Sequence, residues 1–149
     1  METDERSDFN SFTSSDPNHP FNSFCYVRII SMMHHLHPDF IVHFAKMFWP
    51  DFKIIDDLVY LADNHALTYW DEMKENNYTT AERQFYWNLV EITGIFEELS
   101  NEEAMSFAET LAKCWNAKMV ADFGEVPTPA RAFFEEEYDE VYVTIGSAT

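Results

Sequence analysis

The chain has 149 residues, with 27 Asp and Glu against 9 Lys and Arg, a formal charge of −18, 17% aromatics and only 3 glycines. That length suits one domain able to bury a sizeable core, and a hydrophobic content of 46% excludes a chain kept unfolded by its own charge. Strong acidity also argues against direct binding to nucleic acid or an anionic membrane surface, since both repel carboxylates.

Residues 1–20 are rich in Ser, Asn, Asp and Thr, with Phe9 and Phe12 as their large apolar residues, and read as a flexible acidic tail. They lack the basic start and apolar centre of a signal peptide. No apolar run reaches the ~18 to 20 residues of a membrane helix, so no contact with a membrane is expected. Cys25 and Cys114 are too few for a disulfide framework and suit two buried thiols in a reducing compartment, which makes the cytoplasm the expected location.

From residue 21 the texture changes, and residues 21–149 read as a single α+β domain. Phe21, Phe24, Cys25, Val27, Ile29, Ile30, Met32, Met33 and Leu36 predict a mostly buried helix that ends at His37-Pro38, because the residue before proline is pushed out of the α region. Pro38 suits the first turn of the next helix, in which Phe40, Ile41, Phe44, Met47 and Phe48 recur every three or four residues before Trp49-Pro50 closes it.

Residues 51–62, DFKIIDDLVYLA, fit a helix through Phe52, Ile55 and Val59. Ile54, Ile55, Val59 and Tyr60 are nevertheless strand formers flanking Asp56-Asp57, so a short β-hairpin near 52–61 is favoured over the helix. Helices are predicted over residues 66–75 and 80–96, the second carrying Ala81, Phe85, Leu89 and Ile92 on one stripe. Asn76-Asn77 marks the break between them, and Thr79 or Thr80 supplies the cap. Ser100 and Glu103 form a capping box. Ala104, Phe107, Ala108, Leu111, Trp115 and Met119 then define a long helix running toward Phe123. Gly124, Pro127 and Pro129 mark a loop, and Val141, Val143 and Ile145 alternate with Tyr142 and Thr144 in a C-terminal β-hairpin near 130–145. Helices over the N-terminal two thirds, with these two hairpins, give the α+β class.

Chemistry-bearing clusters are few. His34, His37 and His43 with Asp39 carry metal-ligand chemistry. Helical sites use spacings such as i, i+4 that put ligands on one face, whereas adjacent His34 and His35 point roughly 100° apart, and histidines at a helix end beside an aspartate at the next helix start also satisfy the two macrodipoles. Glu135, Glu136, Glu137, Asp139 and Glu140 are the densest acidic run; they read either as a solvated turn or as a contact for a basic partner. Glycine at positions 94, 124 and 146 alone excludes a phosphate-binding loop or a dinucleotide fingerprint. Consecutive Phe85, Tyr86 and Trp87 cannot all face inward from one helix, so at least one belongs to a rim or surface.

Three segments, FWPDFKIIDDLVYL (residues 48–61), LAKCWNAKMVADF (111–123) and EVYVTIGS (140–147), resemble a group of small acidic bacterial proteins. In that group an FWP segment leads into a short hairpin and a late W-x-x-K helix precedes a terminal strand; the matching positions are Phe48, Trp49, Pro50, Trp115 and Lys118. The resemblance implies a bacterial source and a single α+β domain, and it carries no activity.

The leading expectation is a non-enzymatic protein-binding module of the antagonist, immunity or adaptor kind. It would set Glu135, Glu136, Glu137, Asp139 and Glu140, together with Tyr86 and Trp87, against a basic protein partner, and it needs no cofactor. Two alternatives stay open: a small metal-dependent enzyme built on His34, His37, Asp39 and His43, and a structural subunit whose exposed aromatics join it into a homo-oligomer.

Overall fold

The computed structural model describes residues 8–10, 22–62 and 67–148, the first four residues of the last stretch by their backbone alone. The tail expected over residues 1–20 and the change of texture at residue 21 therefore lie almost wholly outside the described residues. In chain order the elements are α1 (Ser23–His34), α2 (Pro38–Phe48), β1 (Phe52–Ile55), β2 (Leu58–Leu61), α3 (Leu67–Glu75), α4 (Thr80–Trp87), β3 (Val90–Glu91), α5 (Ile92–Ile95), α6 (Asn101–Phe123), β4 (Ala130–Glu135) and β5 (Glu140–Ile145). The class is α+β. The chain divides into two compact units, residues 1–43 and 44–149, with the boundary inside α2.

In the first unit α1 starts at Asn22, whose side chain accepts the Cys25 N–H at 3.0 Å, and stops at His35, which takes the left-handed conformation with φ 50°. α2 opens with Pro38, its fixed φ already helical. The expectation of a mostly buried first helix is overturned: no residue of α1 is buried, and Phe24 is 86% exposed. At 100° per residue Phe24, Val27, Met32 and Met33 spread around the helix instead of forming one stripe. Apolar content was sufficient for burial; apolar placement was not.

The second unit is organised by α6. Its capping box has the predicted form, with Ser100 Oγ accepting the Glu103 N–H at 3.1 Å and the Glu103 carboxylate accepting the Ser100 N–H at 2.8 Å. The helix ends at Gly124, whose φ of 78° lies in the region that favours glycine. Ala104, Ala108, Leu111, Ala112, Trp115 and Met119 are buried along its length. They pack with Val141, Val143, Ile145 and Ala130 into one core. Each large side chain so buried stabilises the fold by about 1.5 to 3 kcal/mol before entropy is counted. The Trp115 indole N–H donates to the Met47 carbonyl at 2.7 Å, and Phe44, Phe48, Phe96 and Phe107 meet edge to face at 5.0 to 6.4 Å between centroids.

Both expected hairpins are present. β1 and β2 pair antiparallel from Phe52↔Leu61 to Ile55↔Leu58, and the two turn residues Asp56 and Asp57 have φ of 52° and 63°. Positive φ at both positions is the geometry a two-residue hairpin needs, and aspartate tolerates it better than most residues that carry a side chain. β4 and β5 pair from Ala130↔Ile145 to Glu135↔Glu140, and β3 adds to the far side of β5, giving the order β3-β5-β4.

The helix expected over residues 80–96 is three elements. α4 is capped by Thr79, one of the two expected caps, in a capping box with Glu82, but ends at Trp87, because Asn88 turns inward and is fully buried. Its side-chain oxygen accepts the Leu61 N–H at 2.8 Å, and its amide donates to the carbonyls of Val59 at 3.0 Å and Gln84 at 2.8 Å. The Trp87 indole donates to the Leu61 carbonyl at 3.2 Å. α4 thus supplies, from side chains, the partners that the outer edge of β2 lacks within its two-stranded sheet, and so protects an edge that would otherwise stay open.

Candidate interaction surface

The register of the three-stranded sheet sorts its residues by face. Ala130, Ala132, Val141, Val143 and Ile145 point to α6, so Arg131, Phe133, Glu135, Glu140, Tyr142 and Thr144 share the opposite face. The pairing Glu91↔Tyr142 brings the β3 carboxylate onto the same face. One end of this face is closed by α4: the Thr144 hydroxyl donates to the Phe85 carbonyl at 2.7 Å, and the Phe85 ring lies 5.8 Å from that of Phe133.

At the other end two rings and three carboxylates meet. Phe133 and Tyr142 stack with centroids 5.4 Å apart and planes 18° off parallel. The Tyr142 hydroxyl donates to the Glu140 carboxylate. That bond, then desolvation, then the negative charges of Glu140, Glu91 and Glu135 push its pKa up to about 12. Glu91 is held in place: its carboxylate accepts from the Thr93 hydroxyl at 3.4 Å and lies where a Cβ on Gly94 would come within 2.9 Å of it. A side chain at position 94 would displace the Glu91 carboxylate from this place.

Phe133 and Phe85 already carry a cation. Arg131 places its guanidinium 5.0 Å from the centroid of Phe133 and 5.7 Å from that of Phe85, and its Nε donates to the Gly146 carbonyl at 2.8 Å. The face therefore combines what a cationic side chain favours, aromatic planes and nearby carboxylates. The aromatic stripe continues through Tyr86, 5.1 Å from Phe85, to Tyr78, 5.6 Å from Tyr86, and both tyrosines are 40% exposed.

The acidic residues named from sequence lie where the hairpin was expected, with a distinction the sequence did not contain. Glu135 and Glu140 are half-buried and face the stacked rings; Glu136, Glu137 and Asp139 are exposed in the four-residue turn, where Asp139 has φ 56° and accepts from the Asn101 amide at 2.7 Å. Tyr86 is on the surface. Trp87 is not: it is 4% exposed, with its ring against Tyr60, so its expected surface role is corrected to a core one. At 100° per residue Phe85 and Trp87 lie about 200° apart on α4, one against Phe133 and the other against Tyr60, which leaves Tyr86 between them at the surface. The Trp70 side chain lies outside the described residues. Sequence reasoning missed Glu91, Arg131, Phe133 and Tyr142, although the alternation of β4 and β5 contained a signal for the last three.

The histidine cluster does not assemble. Nδ1 of His37 accepts the Asp39 N–H at 3.1 Å and lies 3.7 Å from the Asp39 carboxylate, whereas His34 sits in the last turn of α1 and His43 more than a turn into α2. Among the described residues no three His, Cys, Asp or Glu side chains are placed to hold a metal ion. His37 is engaged in starting a helix. Cys25 and Cys114 are free thiols, half-buried and not in the core as expected. An open depression of about 360 Å³ beside α6, lined by Leu99, Glu103, Ser106, Phe107 and Thr110, has its carboxylate already committed to the capping box. Among the described residues no helix is long and apolar enough to cross a membrane.

The residues of the FWP and W-x-x-K segments meet in space, with Lys118 5.8 Å from the Trp49 ring and bonded to Asp122 at 2.9 Å. These contacts lie within the second unit. No family model matches the chain, and neither a curated protein nor a solved structure matches it.

Proposed function

We propose that this protein is a non-enzymatic binding module whose outer sheet face receives a basic side chain of a protein partner. The observation that carries the reading is the convergence of Glu91, Glu135 and Glu140 from three strands around the stacked pair Phe133 and Tyr142. A Lys or Arg brought there gains an aromatic plane and neighbouring carboxylates together, and the long-range field of a strongly acidic chain speeds the encounter. The exposed turn residues Glu136, Glu137 and Asp139 extend the field beyond the site itself. Tyr86 and Tyr78 form its aromatic border on the α4 side. A reducing, cytoplasmic setting agrees with the two free thiols.

The test is recovery of partners on immobilised full-length protein at low and at high ionic strength. A stoichiometric basic partner that binds at low salt, weakens as salt rises, and is lost on Glu91→Gln with Glu140→Gln supports the reading. Recovery of no such partner, or of one indifferent to both salt and these substitutions, removes it.

A further inference from the structure

We infer that the helix pair of the first unit is a self-association surface, through which two copies of this chain join by α1 and the start of α2. It rests on other residues than the acidic face and does not depend on it. Phe24, Val27, Met32 and Met33 on α1, with Ile41 and Val42 on α2, are each half or more exposed. An aromatic side chain carries roughly 150 to 250 Å² of surface and an aliphatic one less, so these six leave on the order of 500 Å² open to solvent. Summed around both helices, that is as much apolar surface as the largest single patches, about 300 to 600 Å², that monomeric proteins display.

Charge selects the occupant. Between residues 22 and 43 the only Asp, Glu, Lys or Arg are Arg28 and Asp39, which cancel, whereas residues 1–21 of the same unit hold 5 acids against 1 base and residues 44–149 hold 21 acids against 7 bases. A basic partner finds no carboxylate surplus on the helix pair. A lipid surface finds one arginine where interfacial helices carry a row of Lys and Arg. A second copy brings the same apolar and neutral surface, with no like-charge penalty at the contact itself. Geometry agrees. The exposed residues of α1 occupy more than half of its circumference at 100° per residue, so a single neighbour on one side cannot cover them. Two helix pairs associating as a four-helix arrangement give each helix more than one neighbour. The apolar area approaches the ~800 Å² per partner of a standard stable interface once polar rim atoms are added.

The experiment is sedimentation equilibrium of the full chain from low micromolar to submillimolar concentration, at low and high salt. The expected species has twice the 17.6 kDa mass of the chain. It becomes more populated at high salt, because screening relieves repulsion between the acidic remainders; the basic-partner contact of the sheet face has the opposite salt dependence. Phe24→Glu with Ile41→Glu is expected to weaken association by roughly 100-fold, about 1.4 kcal/mol per tenfold step, since each introduces a charge into an apolar contact. Phe24→Leu is expected to preserve it. Neither glutamate replaces a buried side chain, and an unchanged circular dichroism spectrum confirms that the variant is folded. A monomer at every concentration, a double variant that dimerises as the parent does, or a monomer that co-sediments with phosphatidylcholine vesicles would each overturn the inference.

Discussion

β5 presents two surfaces of opposite character from six consecutive residues. Toward α6 it turns Val141, Val143 and Ile145, all fully buried, while its other side carries Tyr142 and Glu140, half-buried beside Phe133 and Glu135. The inner face binds the sheet to the long helix; the outer face keeps aromatic and acidic groups where a partner reaches them. A strand's period of two lets one segment carry core and contact surface without compromise between them. Substitutions on the two faces should therefore separate stability from binding.

The largest loss is expected on the inner face. Ile145→Ala removes a fully buried side chain from the main core and should cost about 2 to 5 kcal/mol in denaturant unfolding. A loss below about 1 kcal/mol would mean that the inner face does not hold the sheet.

Asn88→Ala should come next. It deletes three side-chain hydrogen bonds and leaves the Leu61 N–H and the Val59 carbonyl deprived of their Asn88 partner. A cost of about 1 to 3 kcal/mol is expected. Faster amide exchange at Leu61 than in the parent protein would locate the damage at the β2 edge. Unchanged exchange there would detach the helix end from the hairpin.

The smallest effect belongs to the outer face and is visible only in alkali. Tyr142 in the folded chain has its pKa raised from 10.0 to about 12 by Glu140, burial and the neighbouring carboxylates. Below pH 10 both folded and unfolded states hold the proton, and the stabilisation is complete. Between pH 10 and 12 the unfolded state releases it first, so stability falls as pH rises through that window. Burial raises Tyr60 to about 12 as well, so its share adds to the same decline. Tyr142→Phe should leave the melting temperature at neutral pH nearly unchanged and flatten part of the alkaline decline. An identical pH profile in the variant would show that Tyr142 does not feel the three carboxylates.

Local rules made much of the fold legible. Ser100 with Glu103 announces its helix through bonds closed within four residues, the cap at residue 79 or 80 marks another, and Val141, Val143 and Ile145 announce their strand by alternation. The Asp56-Asp57 hairpin was readable from strand formers on either side, without glycine in the turn. The end of α4 was hidden because the spacing of Phe85, Leu89 and Ile92 continues past it, while the partners that pull Asn88 inward, Val59 and Leu61, lie 29 and 27 residues away. Apolar residues from Phe24 to Val42 read as core because hydropathy reports a need for cover, not whether cover exists in the same chain. At the candidate site only the acidic half was visible. Glu91 enters through a two-residue strand too short for any periodicity, and the stacking of Phe133 on Tyr142 follows from register, which a four-residue turn with three carboxylates and Tyr138 does not fix.

The most direct measurement of the central claim is a titration of isotope-labelled full-length protein with a tri-arginine peptide, followed by amide chemical shifts. The account predicts saturable shifts centred on Glu91, Phe133, Glu135, Glu140 and Tyr142, diminished by salt and absent from Glu91→Gln with Glu140→Gln. Shifts that never saturate, or that centre on the helix pair of residues 22–43 and leave the outer sheet face unmoved, would contradict it.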